Sequence, residues 1–309
     1  MALLFKSDID RGDSWRRVLL ELEPGLDLRE WPEIGDPNDI EYALVWKPPQ
    51  GELKTYPNLK AIFSLGAGID HLASDPELPK DVPVVRMVEP GLTAGMTEFV
   101  IMSVLYHHRF MLDYAAQARA HQWREIDQVP AWERRVGIMG LGVLGGDAAE
   151  ALVGLRFDVA GWSGSPKNLP GVTSFHGADG FLPFLNRSDI LVCLLPLTPE
   201  TEGILDASAF AALPSGAALI NAARGGHVVE ADLLAALDSG ALGAATLDVF
   251  DTEPLPQGHP FWAHPRVRVT PHVAAITYGD TTAREIALNI KRFRAGAPMS
   301  GLVDRRRHY

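Results

Sequence analysis

Three polar residues in the second half of the chain form the combination that reduces a carbonyl. Arg224 stands in Asn-Ala-Ala-Arg-Gly-Gly, Glu253 in Asp-Thr-Glu-Pro-Leu and His272 in Thr-Pro-His-Val-Ala-Ala. Each follows a short apolar run that reads as a strand: 217–221, 245–249 and 267–270. In an open α/β sheet the carboxyl ends of the strands face the ligand crevice, so the three side chains are expected at one edge. A guanidinium grips carboxylate and carbonyl oxygens as a fork. An imidazolium gives a proton to an oxygen as hydride reaches the neighbouring carbon, and a carboxylate beside it raises its pKa into the working range. The set suits reduction of a 2-oxo acid. Taken singly, the same residues serve as a surface ion pair, a helix cap and a core histidine.

The hydride needs a carrier, and the sequence holds a place for one. Val136–Met139 reads as a buried strand, Gly140, Gly142 and Gly145 follow in G-x-G-x-x-G order, and Ala148, Ala149, Ala151 and Leu152 supply a helical apolar face. In that context the first glycine permits the tight turn, the second admits a pyrophosphate and the third lets helix and strand pack closely. The helix N-terminus offers N–H groups and a positive dipole end to phosphate. An NAD site carries an acid after the second strand. Asp158 has nearly the right spacing, but it precedes the strand 159–162 and so falls at the wrong end. Ser163, Gly164, Ser165, Pro166 and Lys167 follow that strand. Hydroxyl and ammonium donors favour a 2′-phosphate, which points to NADPH (NADP+) over NADH.

Around these residues the chain alternates strand-like and helix-like segments. Runs at 3–5, 26–30, 43–46, 61–65 and 84–87 suggest a small parallel α/β unit punctuated by Pro and Gly. The stretch 96–121 has neither residue and reads as one extended helix, and βα alternation resumes after the glycine loop. Residues 230–239 form a helix closed by Gly240, and 281–294 a final amphipathic helix. At 309 residues two domains are expected. The apolar content of 47% and charged content of 22% describe a soluble globular protein.

A net charge of −11 argues against nucleic-acid and anionic-membrane partners. The one basic cluster, Arg305-Arg306-Arg307, reads as a solvated tail or a domain-edge ion-pair partner. Cys193 is the only cysteine, so no internal disulfide forms and a reducing, cytoplasmic compartment fits. Met1–Phe5 is too short for a signal-peptide core, and no run reaches membrane-spanning length. No Cys/His spacing supports a metal site. His107 and His108 are adjacent, so on a helix they point apart and chelate poorly.

These stretches also carry a resemblance. Gly-Leu-Gly-Val-Leu-Gly (140–145), Leu-Leu-Pro-Leu-Thr-Pro (194–199), Asn-Ala-Ala-Arg-Gly (221–225), Leu-Asp-Val-Phe-Asp-Thr-Glu-Pro-Leu (247–255) and Thr-Pro-His (270–272) are similar, in order and spacing, to D-2-hydroxyacid dehydrogenases. Trp46-Lys47-Pro48-Pro49, Leu65–Asp70 and Val303-Asp304-Arg305 resemble the glyoxylate/hydroxypyruvate-reducing subgroup of that family.

The resemblance implies an oxidoreductase of two doubly wound, Rossmann-like and flavodoxin-like α/β domains with a cleft between them. Residues 1–95 with 281–309 would bind substrate, and 96–280 the dinucleotide. It makes His272 the proton donor, Glu253 its partner and Arg224 the substrate clamp. The amides of Ala67 and Gly68 would receive the substrate carboxylate, and Trp46 would wall the pocket. Cofactor contacts would come from Gly140, Gly142, Val143, Leu144, Gly145, Ser163, Ser165, Lys167 and Pro196, with Asp248 orienting the nicotinamide amide. It also implies a homodimer built through the helix near 96–121. The subgroup pattern has an arginine between the two serines, where this chain has Gly164. Phosphate grip would then rest on Ser163, Ser165 and Lys167, which leaves NADH possible. The alternative is a corepressor-like protein that senses a dinucleotide with little turnover.

Overall fold

The computed structural model describes residues 1–8 and 12–305, so Arg306 and Arg307 of the basic run lie outside the described residues. In chain order the elements begin with β1 (Ala2–Lys6), α1 (Gly12–Leu22), β2 (Asp27–Glu30), β3 (Ile40–Val45), β4 (Ala61–Ser64), α2 (Asp70–Ala73) and β5 (Val84–Val85). They continue with α3 (Pro90–His108), α4 (Met111–Arg119), β6 (Arg135–Met139), α5 (Val143–Gly154), β7 (Asp158–Ser163), β8 (Val172–His176), α6 (Gly177–Asn186) and β9 (Ile190–Cys193). The rest are α7 (Ala207–Ala212), β10 (Ala217–Asn221), α8 (Glu230–Asp238), β11 (Leu242–Leu247), β12 (Val267–Val269) and α9 (Gly279–Arg294). The chain divides into two compact units, Met1–Leu92 with Ile276–Tyr309, and Thr93–Ala275.

The first unit holds a parallel sheet in the order β2-β1-β3-β4-β5, the flavodoxin arrangement. Every side chain of β1 and β4 is buried, as expected where a parallel strand is covered on both faces. Helix α9 buries Ala283, Ile286, Ala287 and Ile290, one stripe at helical spacing. Lys291, Arg292 and Arg294 occupy its last turn, where the helix dipole favours cations.

The second unit holds a seven-stranded parallel sheet in the order β12-β11-β10-β9-β6-β7-β8. Counted from β6 this is the Rossmann order with one strand added, and the order reverses between β6 and β9. Buried Val136, Ile138, Val192, Ile220, Ala148 and Leu152 belong to one core on this sheet, and Met139, Leu191, Leu219, Leu247 and Phe210 to another.

The single helix expected over 96–121 is two helices, and the first begins earlier. Glu89 caps α3, its carboxylate accepting from Gly91 N (2.7 Å) and Leu92 N (2.6 Å). Pro90 occupies the first helical position, where a missing N–H costs nothing. Pro90-Gly91 is therefore a helix start rather than a joint. The break falls at Phe110, whose left-handed φ of 55° ends α3 and opens α4 although neither Pro nor Gly is present. No helix among the described residues is long and apolar enough to cross a membrane.

Candidate active site

All strands of the second sheet run parallel, so their carboxyl ends share one edge. Along that edge stand, in sheet order, His272 after β12, Asp248 and Glu253 after β11, Arg224 after β10, Pro196 after β9, the glycine loop after β6 and Ser163 at the end of β7. The chemistry-bearing residues occupy one side of the switch point and the serine loop the other.

Each glycine of the loop does a different job. Gly140 has φ +96°, and a Cβ there would lie 2.6 Å from Leu194 O. A Cβ at Gly145 would sit 1.8 Å from Gly140 O, so only glycine lets α5 pack this closely. Gly142 has ordinary φ and open space around it, which is what a phosphate approaching the backbone requires. Gly142 is the N-cap of α5, and Val143, Leu144 and Gly145 form its first turn, whose amides have no partner inside the helix. These residues fit the pyrophosphate of a dinucleotide. Beyond β7, Ser163 Oγ donates to Ser165 O at 2.7 Å and shapes the loop that carries exposed Ser165 and Lys167. Asp158 sits at the far end of β7, bonded to Arg187 at 2.6 Å.

His272 and Glu253 form a direct pair, with Nδ1 and Oε2 2.8 Å apart. Glu253 Oε1 accepts from Phe250 N at 3.1 Å, which fixes the carboxylate. A carboxylate only accepts, so Nδ1 carries a hydrogen and Nε2 is the nitrogen left to give a proton away. His272 has φ +55°, uncommon for a residue with a side chain. Buried Asp248 holds that turn from two sides. Its carbonyl accepts from His272 N at 2.8 Å. Its carboxylate accepts from Thr270 Oγ1 (2.6 Å), Val273 N (2.9 Å) and Ala274 N (2.8 Å).

Arg224 is tied to its neighbours through its own loop. Its carbonyl accepts from Asn221 Nδ2 at 2.9 Å, and its Nη1 donates to Ala223 O at 2.7 Å. The next residue locks the loop to the Glu253 strand end: a Cβ on Gly225 would lie 2.0 Å from the carbonyl carbon of Phe250. The structure thus joins Arg224 to the His272–Glu253 pair through Gly225, Phe250 and the Phe250 amide.

In the first unit, Trp46 follows β3 and Ala67 and Gly68 follow β4. The Trp46 ring lies 4.5 Å from that of His71, and a Cβ at Gly66 would come within 2.7 Å of it. Buried Lys6 donates to Lys47 O at 3.0 Å and to Asp8 at 2.7 Å, holding Lys47 at its left-handed φ of 45°. Ser64 Oγ donates to Gly68 O at 3.1 Å.

Elsewhere, no group of acidic, histidine or cysteine side chains among the described residues can hold a metal. Residues His107 and His108 do diverge: His107 Nε2 meets Thr246 Oγ1 at 2.9 Å, while His108 packs edge-on against Phe157. Desolvation, then Arg268 and Arg266, push His107 down to about 4. Cys193 is fully buried, and desolvation pushes its thiol up to about 12, so it is inert. Sequence reasoning missed Lys6, Gly66, Gly225 and His227, which act by close packing or by side-chain bonds to main-chain carbonyls. For Gly225 and His227 the one signal was a place inside the Asn-Ala-Ala-Arg-Gly-Gly-His run.

Residues 101–274 match the family model described as D-isomer specific 2-hydroxyacid dehydrogenase, NAD binding domain. The chain belongs to this family. It is 43% identical over 309 residues to glyoxylate/hydroxypyruvate reductase A of Serratia proteamaculans, covering 98% of each chain. Among solved structures it is similar to the family's Xanthobacter autotrophicus Py2 member in complex with NADPH and MES (47% identity, TM-score 0.96, covering 100% of this chain and 99% of that one). It is also similar to the NADPH-dependent glyoxylate/hydroxypyruvate reductase of Sinorhizobium meliloti in complex with NADP and sulfate (42% identity, TM-score 0.93, each chain fully covered).

Proposed function

We propose that this enzyme reduces small 2-oxo acids, glyoxylate and hydroxypyruvate foremost, to 2-hydroxy acids with NADPH. The observation that carries this reading is the 2.8 Å His272–Glu253 pair on the same sheet edge as the open glycine loop. Glyoxylate and hydroxypyruvate are what the similar enzymes are named for, and NADPH or NADP accompanies two of the similar structures. In this reading Thr93–Ala275 binds the dinucleotide through Gly140, Gly142, Val143, Leu144, Gly145, Ser163, Ser165, Lys167 and Pro196. When bound, the cofactor supplies the hydride for the carbonyl carbon. Arg224 holds the carboxylate and carbonyl oxygens of the substrate, and His272 Nε2 protonates the carbonyl oxygen. Glu253 stabilises the imidazolium before transfer and keeps the ring aimed. Asp248 anchors the turn that presents His272. In the same reading the Ala67 and Gly68 amides receive the substrate carboxylate, and Trp46 helps wall the pocket.

Oxidation of NADPH by the purified protein over a panel of 2-oxo acids tests the reading. Turnover with glyoxylate and hydroxypyruvate supports it; binding of NADPH without turnover of any 2-oxo acid would return the corepressor-like alternative. A reducing, cytoplasmic setting suits an enzyme whose one cysteine is buried and unbridged.

Cofactor choice has its own test. A Cβ at Gly164 would meet no atom within 4 Å, and φ there is ordinary. Gly164→Arg is therefore expected to fold normally and add a charged donor to the phosphate loop. The kcat/KM ratio for NADPH over NADH should rise about tenfold or more, as one charge-assisted hydrogen bond allows. An unchanged ratio would mean that the 163–167 loop does not contact the 2′-phosphate.

We also read the enzyme as a homodimer. Helix α3 carries apolar side chains on more than one side: Val100 and Val104 are buried within the unit, yet Met102 and Leu105 are exposed, as is Met111 on α4. Such a face calls for a partner. Leu105→Glu should convert a dimer to a monomer in analytical ultracentrifugation; a wild-type protein that sediments as a monomer would refute the assignment.

A further inference from the structure

His227 is fully buried, and its ring stands between two main-chain carbonyls. Nδ1 lies 3.0 Å from the carbonyl of Arg224, and Nε2 lies 3.2 Å from the carbonyl of Pro196. Arg224 is the substrate clamp and Pro196 a cofactor contact in the reading above, and this inference rests on that reading. The two carbonyls belong to the loops after β10 and β9, on neighbouring strands. We propose that His227 is a positioning residue that ties the cofactor loop to the clamp loop, so that the Arg224 guanidinium is set relative to the bound dinucleotide.

The surroundings show why a ring is needed there. The turn carrying His227 is fixed by main-chain bonds, Leu205 N donating to His227 O at 2.9 Å and Gly203 N to Gly226 O at 2.8 Å. Gly226 packs against the side chain of Leu197, next to Pro196; a Cβ there would meet it at 3.3 Å. Each carbonyl also has a second donor, Asn221 Nδ2 for Arg224 (2.9 Å) and Thr201 Oγ1 for Pro196 (2.7 Å). These local donors hold each loop to itself. His227 is the group that reaches both, because a rigid imidazole puts one nitrogen at each end. A neutral ring has one N–H and donates to one carbonyl at a time, whereas an imidazolium donates to both. With a hydrogen on each nitrogen, the ring bonds both carbonyls at once and fixes the spacing of the two loops. A small error in that spacing is costly in catalysis, since reacting groups must be held in near-attack geometry.

Two substitutions separate the two ends of the ring. In Asn the amide nitrogen falls near the position of Nδ1, and in Gln near that of Nε2. His227→Asn keeps a donor for Arg224 and loses the tie to Pro196. His227→Gln keeps a donor for Pro196 and loses the tie to Arg224. With His227→Gln, KM for glyoxylate at saturating NADPH should rise five- to tenfold and kcat fall by a similar factor, while the NADPH Kd, read by fluorescence titration, stays within twofold. His227→Asn should show the reverse, a five- to tenfold weaker NADPH Kd with glyoxylate KM within twofold. One lost hydrogen bond accounts for factors of this size.

If His227 only fills space, both variants lower Tm and shift the same constants together, and the proposal fails. If one variant is insoluble, the other still has a one-sided signature: movement of the wrong constant overturns the proposal. Arg224→Ala in the same assays keeps the two levels apart. A wild-type enzyme without glyoxylate turnover, or an Arg224→Ala variant with normal constants, refutes the functional reading, whereas His227 variants without the split refute only the brace.

Discussion

His272→Asn is expected to lower kcat for glyoxylate reduction by about 10²–10⁴-fold, the range a positioned general acid contributes. The substitution is chosen for its geometry. His272 sits at φ +55°, a conformation asparagine tolerates better than most residues. Its amide nitrogen falls near the place of Nδ1, so the bond to Glu253 Oε2, now 2.8 Å, can persist. The main-chain bonds of residues 272–274 to Asp248 do not involve the side chain. The variant thus removes Nε2 and its proton while leaving the turn in place. NADPH affinity should stay within twofold, because the glycine loop lies across the switch point from β12. Steady-state NADPH oxidation and a fluorescence titration measure the two effects. A kcat within tenfold of wild type would show that the proton reaches the substrate oxygen from another source. Glu253→Gln should cost less, since a Gln carbonyl can still accept from Nδ1, but it no longer stabilises the imidazolium.

The route from sequence to that site was legible where a signal is local, and lost where it is not. Strand β6, the glycine loop and α5 could be read because strand, turn and helix adjoin and each glycine has its own steric reason. The strands β9, β10 and β11 read as apolar runs because both faces of the sheet are covered. Strand β8 did not, because it is an edge strand: Val172 and Phe175 are only partly buried, and Thr173, Ser174 and His176 are exposed. The sequence of α6 carries glycines at 177 and 180 and a proline at 183, all signs against a helix. It forms one nonetheless, burying Phe184 and Leu185 in the core. The break at Phe110 has no sequence signal at all.

At the site, the residue types that do chemistry were visible, but the residues that hold them were not. Gly225 matters because Phe250 and Asp251 press against its α-carbon, and His227 because two carbonyls flank it. Both facts belong to pairs of loops that the chain separates by tens of residues. Trp46 is likewise seated by Gly66 and His71, twenty or more positions away. Local pattern names the groups that react, while long-range packing sets where they stand.

That division decides what Arg224→Ala should do. The residue emerges from the carboxyl end of β10 on a loop that cannot slide: Gly225 is wedged against the Phe250–Asp251 backbone, and the Arg224 carbonyl is bonded to Asn221. Truncating the side chain should leave these anchors intact, with Tm near wild type. Catalysis should suffer heavily, because a guanidinium set against the substrate's oxygens interacts more strongly as charge builds on the carbonyl oxygen. We expect kcat/KM for glyoxylate to fall about 10²–10³-fold, with KM and kcat both affected and NADPH affinity unchanged. Arg224→Lys sharpens the test. Lysine restores the charge but offers a point donor in place of a planar fork, so it should recover only part of the loss and remain at least about tenfold below wild type. If lysine restored full activity, the contact would be one of charge alone and the two-pronged grip would be wrong. If alanine itself cost less than tenfold, the substrate carboxylate would have to be bound without this arginine.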